Sequence, residues 1–393
     1  MRSASTKGSK GPVLNFSICL IGVFLLVFAS AASGQQIHQL SYNNSYWADQ
    51  NLNGVQSDGG AAAAFLTTPN DQSHVYYLSK HSDDGVADVH QLFYNGVSWS
   101  DEDLTILSGG QQAGFGSVTG FSVGNYQYVY YQDLYGDIHQ LLYNNSNWVE
   151  SDLTVLSGGL SPAPDSVILA FTTSPALHVY FTATDNDIHQ LFSNDGNTWQ
   201  NQDLTVLAGL QNSDGGYLQS GFNIGNLQYV HYVDLHDFHL HQLSYNNSKW
   251  SDTDLTALTK TQVPDNSVAS FVIPGTKRIR IFFAASVTSS SNHVFQLASG
   301  NGTTWTVTDL TIKAKAPAPG GIESIVAYAT TPNDGVHLFY VSNGHIDQLY
   351  QTGANTWGFA DLTSLGNGAL ATDYTALAGF SLQNEQFVFY NAQ

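Results

Sequence analysis

One short motif returns seven times and limits what this chain can fold into. Ile37-His38-Gln39-Leu40 recurs as Val89-His90-Gln91-Leu92, Ile138-His139-Gln140-Leu141 and Ile188-His189-Gln190-Leu191. It continues as Leu240-His241-Gln242-Leu243, Val294-Phe295-Gln296-Leu297 and Ile346-Asp347-Gln348-Leu349. The glutamine is present in every copy, at steps of 52, 49, 50, 52, 54 and 52 residues. Eight or nine residues after each glutamine stands a tryptophan: Trp47, Trp99, Trp148, Trp199, Trp250, Trp305 and Trp357, which are all 7 tryptophans of the 393-residue chain. Four residues further lies Asp-Leu-Thr, led by Asp103, Asp152, Asp203, Asp254, Asp309 and Asp361, with Asn51-Leu52-Asn53 in the first copy. A repeat of this length is one supersecondary unit that buries its apolar surface only against its neighbours.

Each unit holds four candidate strands. An apolar run such as Gly120-Phe121-Ser122-Val123 or Ser270-Phe271-Val272-Ile273 leads into an aromatic strand such as His74-Val75-Tyr76-Tyr77. The glutamine strand and the tryptophan strand follow, separated by turn residues such as Asn95-Gly96 and Asn194-Asp195-Gly196. Four antiparallel strands per repeat predict an all-β, seven-bladed β-propeller spanning residues 35–393 as a single domain. The chain begins, after its first thirty-odd residues, with a glutamine strand and Trp47, and it ends with Gly379-Phe380-Ser381-Leu382 and Phe387-Val388-Phe389-Tyr390. The two termini therefore supply complementary halves of the last blade. The aspartate of Asp-Leu-Thr is expected to cap a turn. Ser193-Asn194-Asp195-Gly196-Asn197-Thr198-Trp199, one residue short of a sialidase Asp box, is expected to be a hairpin turn, and residues 313–321 a longer loop between blades.

Residues 1–34 have a different character. Arg2, Lys7 and Lys10 precede an apolar run from Ile18 to Ala29, and small residues follow it. This is a signal-peptide pattern with cleavage expected after Ala31 or Gly34, the alternative being an uncleaved anchor. The expected location is extracellular, or the cell surface if the segment remains. The single cysteine, Cys19, lies inside this segment, so the remainder can form neither disulfides nor thiolate metal sites. Charged residues make up 11% of the chain and the formal net charge is -20. A nucleic-acid binder needs a basic stripe, which such a chain lacks.

The repeated polar residues admit two roles each. Gln39, Gln91, Gln140, Gln190, Gln242, Gln296 and Gln348 either satisfy backbone groups inside the blades or line grooves between them. The seven tryptophans are either plugs of the interblade core or platforms for the apolar face of a sugar ring. The histidines His38, His90, His139, His189 and His241 occur one per blade. Only a ring around the central channel would gather them, and Phe295 and Asp347 interrupt it, so no metal and no cofactor is expected. No Gly-x-Ser-x-Gly elbow, P-loop or His-Glu-x-x-His motif is present, and the acids are mostly repeated turn residues rather than a catalytic pair. Seven basic residues, Lys277-Arg278-Ile279-Arg280 among them, cluster between Lys249 and Lys315.

The pairing of an x-Val-Tyr-Tyr strand with an Ile-x-Gln-Leu strand and a following tryptophan resembles the fucose-specific lectins of fungal fruiting bodies and some bacteria. Those lectins are six-bladed, with sugar sites between adjacent blades; seven-bladed bacterial relatives are a closer parallel. In that family an arginine opens the aromatic strand, a glutamate sits in the next strand, and the neighbouring blade supplies an aromatic residue. By motif, the glutamate position falls on the seven glutamines, and the arginine position on His74, Tyr128, His178, Tyr229, Arg280, His337 and Phe387. No blade keeps the Arg–Glu pair; Arg280 with Gln296 comes nearest. The resemblance implies a secreted, multivalent, non-catalytic carbohydrate-binding protein whose partners are glycans or glycoconjugates. The alternatives are an extracellular scaffold with purely structural repeats and a glycan-active hydrolase or lyase.

Overall fold

The computed structural model describes residues 35–392, apart from residues 53, 80–85, 115–116, 165, 211–215, 266, 289–290, 321–323, 334 and 373–374. The expected signal segment lies outside the described residues. Seven four-stranded antiparallel sheets form the blades of a β-propeller. Blade 1 consists of Ser57–Thr67, Gln72–Ser79, Val89–Tyr94 and Trp99–Asp103, taken from the first strand to the fourth. Blades 2 to 6 follow at residues 119–152, 169–203, 216–254, 268–309 and 326–361. Blade 7 joins Ala378–Leu382 and Glu385–Ala392 to the N-terminal strands Gln36–Tyr42 and Trp47–Asn51. The seam is an antiparallel ladder from Gln36↔Ala392 to Tyr42↔Gln386. Closure by both termini is thus as the sequence predicts, and it leaves no terminal blade with an uncovered face.

The Asp-Leu-Thr motif does more than cap a turn. In blades 1 to 6 it opens a one-turn helix: Leu104–Ser108, Leu153–Ser157, Leu204–Leu207, Leu255–Thr259, Leu310–Ala314 and Leu362–Gly366. The expected loop at 313–321 therefore begins inside a helix, as far as Ala314. These helices are too short to register as a hydrophobic periodicity, which is why strand spacing alone missed them. Each residue of the motif has its own task. The aspartate caps: Asp152 Oδ1 accepts the Val155 N–H at 2.9 Å, and Asp203 Oδ1 that of Val206 at 2.9 Å. The leucine is fully buried in all six helices. The threonine hydroxyl accepts the N–H that opens the third strand, as from Val89 to Thr105 and from Ile188 to Thr205, both at 2.9 Å. That N–H has no ladder partner and would otherwise be buried unpaired.

The apolar core is divided into seven clusters, one for each interface between consecutive blades. The cluster between blades 3 and 4 is representative: Leu169, Phe171, Tyr180, Ile188 and Leu204 of one blade meet Leu218, Val230, Tyr232, Leu243 and Trp250 of the next. Inner strands neighbour one another around the whole circle. Among the described residues no helix is long and apolar enough to cross a membrane.

The motif's division of labour predicts graded losses. Leu153→Ala should cost about 2–5 kcal/mol, Thr154→Val about 1–3 kcal/mol through the unpaired Ile138 N–H, and Asp152→Ala about 1 kcal/mol. Urea unfolding of the three variants checks this. Equal losses from all three, or none from Thr154→Val, would contradict the assignment.

Candidate functional site

Alternation along the strands sorts the repeated side chains onto two faces of each blade. In blade 1, Gln91 lies opposite Tyr76 and His74 opposite Phe93, so these four share the face turned towards blade 2. Tyr77 and His90 lie opposite one another on the other face, where Trp99 packs edge to face against Phe389 of blade 7 with ring centroids 6.0 Å apart. Each groove is therefore walled by the aromatic–glutamine face of one blade and the tryptophan face of the next.

All seven glutamines are buried, at 2–6% exposure. Their side-chain partners, where they have them, are other side chains and not the backbone groups that the sequence left as one option. Three interfaces share one arrangement. Between blades 3 and 4 the Gln190 amide donates to Gln228 Oε1 and to the Tyr180 hydroxyl, both at 3.2 Å, and pairs with His178 Nδ1. Between blades 1 and 2, Gln91 joins His74 to Gln127, its amide 3.1 Å from Gln127 Oε1. Between blades 6 and 7, Gln348 lies 3.0 Å from His337 Nδ1 and 2.7 Å from Gln386 Oε1. Gln127, Gln228 and Gln386 were not singled out from sequence. A signal exists: each precedes the aromatic residue (Tyr128, Tyr229, Phe387) that replaces histidine in the partner blade.

The other interfaces differ. His231 bridges Gln242 Oε1 at 3.3 Å and the Ser270 hydroxyl at 3.0 Å between blades 4 and 5. Gln39 Oε1, Gln140 Oε1 and Gln296 Nε2 are buried without a hydrogen-bond partner among the described residues, as is Arg280 Nε. Burial holds His74, His178 and His337 down to about 4, and His231 likewise against the opposing pull of Gln242. The imidazoles of the three matched grooves are therefore neutral at pH 7.

The tryptophans occupy the interfaces. Trp47, Trp148, Trp199 and Trp250 are buried, whereas Trp99, Trp305 and Trp357 are partly exposed. Trp250 meets Tyr180 of blade 3 edge to face and lies against Tyr245 of its own blade. His38, His90, His139 and His241 each pair with a carboxylate of the neighbouring strand, Asp49, Asp101, Glu150 and Asp252, and His189 pairs with Asn201. The Asp195 segment is the expected turn: its carboxylate accepts the N–H groups of Asn197 at 2.8 Å and Thr198 at 2.7 Å. Those bonds hold its pKa well below the usual carboxylate range.

Between blades 3 and 4 the groove widens into a cleft of about 550 Å³. His178, Gln190 and Gln228 line it, with Phe192, Tyr245 and Trp250 contributing aromatic surface and Asn194, Gln202, Asn226 and Lys249 contributing polar groups. The profile of the fungal fucose-specific lectins matches residues 114–362, more than half of the chain and including both walls of this cleft. The chain belongs to the fungal fucose-specific lectin family. It is thereby a member of a carbohydrate-binding lectin family, and the motif resemblance is confirmed. Solved structures, two of them named as lectins, share its fold. BP39L from Burkholderia pseudomallei is 12% identical with a TM-score of 0.52, over 84% of this chain and 97% of that one. AofleA from Arthrobotrys oligospora is 13% identical with a TM-score of 0.51, over 92% and 94%. SapL1 lectin, solved with alpha methyl fucoside, is 16% identical with a TM-score of 0.51, over 77% and 95%. No curated protein sequence matches the chain.

The buried imidazoles predict an acid limit. Their native values near 4 lie below the unfolded value of 6.5, so the unfolded chain binds more protons between these limits. Stability should hold above pH 6.5 and fall between pH 6.5 and 4, by up to roughly 3 kcal/mol per imidazole. Thermal melts across this range should show a shallower fall for His178→Gln than for wild type. Identical slopes would refute the burial argument.

Proposed function

We propose that this lectin is a secreted, multivalent, non-catalytic protein that takes neutral sugars in the grooves between its blades. The observation that carries the reading is the cleft between blades 3 and 4. There the two positions that hold arginine and glutamate in the family's motif, His178 and Gln190, meet the neighbouring blade's Tyr245 and Trp250 at one opening. Neutral imidazole and amide groups donate and accept hydrogen bonds with hydroxyls, and an aromatic wall receives the C–H face of a sugar ring. The matching His–Gln–Gln sets at the 1/2 and 6/7 interfaces support further sites of the same kind, and weak individual affinities would combine through avidity. Replacement of a charged pair by a neutral one favours a sugar preference broader than fucose, because charge-assisted bonds are roughly twice as strong as neutral ones.

A protein-binding scaffold is the second reading. It is favoured by one observation: the one-turn helices present aliphatic residues, among them Ile106, Leu107, Val155, Leu156, Ile312 and Leu365, all more than half exposed. Glycan-array screening followed by calorimetry separates the two. The lectin reading predicts binding in the micromolar-to-millimolar range, with fewer bound equivalents in His178→Ala and no loss of fold. An array that binds nothing, with calorimetry silent towards fucose and other neutral sugars at millimolar concentrations, would overturn it.

A further inference from the structure

We propose that the turn between the second and third strands of blade 4 builds a binding site for a zinc-class divalent cation from Asp237, His239, His241 and Asp254. Their ligand atoms all lie within 4.8 Å of one another. His239 Nδ1 is hydrogen-bonded to Asp254 Oδ2 at 2.8 Å, through a proton that the ion would displace, and lies 3.3 Å from Asp237 Oδ2; His241 Nε2 is 3.6 Å from the same Asp237 oxygen. Tetrahedral coordination at about 2.0–2.1 Å places ligand atoms roughly 3.3–3.4 Å apart. The three separations bracket that spacing without rearrangement of the backbone. Two imidazoles with two carboxylates form a donor set suited to zinc and its neighbours rather than to calcium or magnesium, which take oxygen alone.

The surroundings orient these groups as metal ligands are oriented elsewhere. Asp252 accepts the Nδ1–H of His241 at 2.8 Å, and its other oxygen accepts the Tyr232 hydroxyl at 3.0 Å. That carboxylate fixes the tautomer and leaves the lone pair on Nε2. His241 Nε2 is buried and has no hydrogen-bond partner. A bare lone pair facing carboxylate oxygens is repulsive unless a proton or a metal cation lies between them, and the same carboxylates favour either. Asp254 is similarly divided: Oδ1 caps the following helix at Ala257 N–H, 2.8 Å away, and Oδ2 turns into the cluster. Asp237 and His239 are the most exposed members and give the ion its way in.

The repeat shows why blade 4 differs. Two positions of the third-strand motif carry histidine in different sets of blades. The position before the motif is His239, His293 and His345 in blades 4 to 6, but Asp88, Asp137, Asp187 or Gln36 elsewhere. The second motif position is His38, His90, His139, His189 and His241, but Phe295 and Asp347 in blades 5 and 6. Blade 4 alone holds both, two residues apart on one strand face, with Asp237 a further two residues back. The related groups in blades 1 and 3, Asp88–His90–Asp103 and Asp185–His189–Asp203, have one imidazole each. The histidines repeat between blades at one motif position, so a grouping within one blade emerges only when turn and fourth strand are laid together.

The test is a titration of chelator-treated full-length protein with zinc ion, followed by competition with a chromophoric chelator and repeated with cobalt ion for its visible spectrum. One equivalent should bind at micromolar affinity or tighter, and cobalt should give the intense bands of a tetrahedral nitrogen–oxygen site. His239→Gln and Asp237→Asn, both at partly exposed positions, should retain the wild-type circular dichroism and weaken zinc by about tenfold or more. His90→Asn in blade 1 should leave that equivalent unchanged. Absence of a stoichiometric equivalent, or affinity unaltered in both blade 4 variants, would overturn the proposal. So would loss of the equivalent in His90→Asn alone. Sugar binding plays no part in the readout, so the site stands or falls independently of the lectin function.

Discussion

Each blade is a sheet with two apolar faces, and each face is covered only by the neighbouring blade. The core is accordingly a circle of seven interfaces with no common centre, and no blade is stable until the one beside it is in place. Both ends of such an array would expose a face comparable to that formed by Phe380, Phe389 and Ile37 against Val75, Tyr77 and Leu92. The ladder between Gln36–Tyr42 and Glu385–Ala392 removes those ends by building one blade from both termini. Low charge follows from the same cause. Strands covered on both faces have little room for ionised groups, and most of the acids are left to turns, helix caps and histidine partners.

The same interfaces hold the polar residues of functional interest. In the groove between blades 3 and 4, Gln190, His178, Tyr180 and Gln228 satisfy one another across the boundary, so the floor of the cleft is part of the structural joint. A ligand entering there meets groups that packing has already oriented, which reduces the ordering cost of binding. It also means that a substitution in the floor affects stability and recognition together. The unpaired atoms at Gln39, Gln140, Gln296 and Arg280 mark grooves whose polar groups are not completed by the neighbouring blade.

Much of this was legible in the sequence, because a recurring glutamine and tryptophan report blade number and strand order directly. The ring closure was legible for the same reason, since the missing half of one unit appears at the far end. The one-turn helices were not, because a Leu-Thr pair between an aspartate cap and a C-cap that varies among glycine, lysine, alanine and asparagine has no periodicity to detect. Nor were the groups that depend on which strand faces meet. Gln127, Gln228 and Gln386 acquire meaning only when their strands are laid against the preceding blade. Asp237, His239 and His241 do so only when Asp254 and Asp252 are placed beside them by the fourth strand. The tryptophans show the limit of residue type as evidence: Trp250 both belongs to a core cluster and lines the cleft, so a place in the core and a place at the groove are compatible in one side chain.

On the proposed reading, recognition takes place in the interblade groove, on a floor shared between two blades. A crystal structure of the protein soaked with a bound glycan tests it most directly. The account predicts a sugar between blades 3 and 4, its hydroxyls within hydrogen-bond distance of His178 or Gln190 and its ring against Tyr245 or Trp250. A sugar bound only on the helix rim or in the central channel, with this groove filled by water alone, would contradict it.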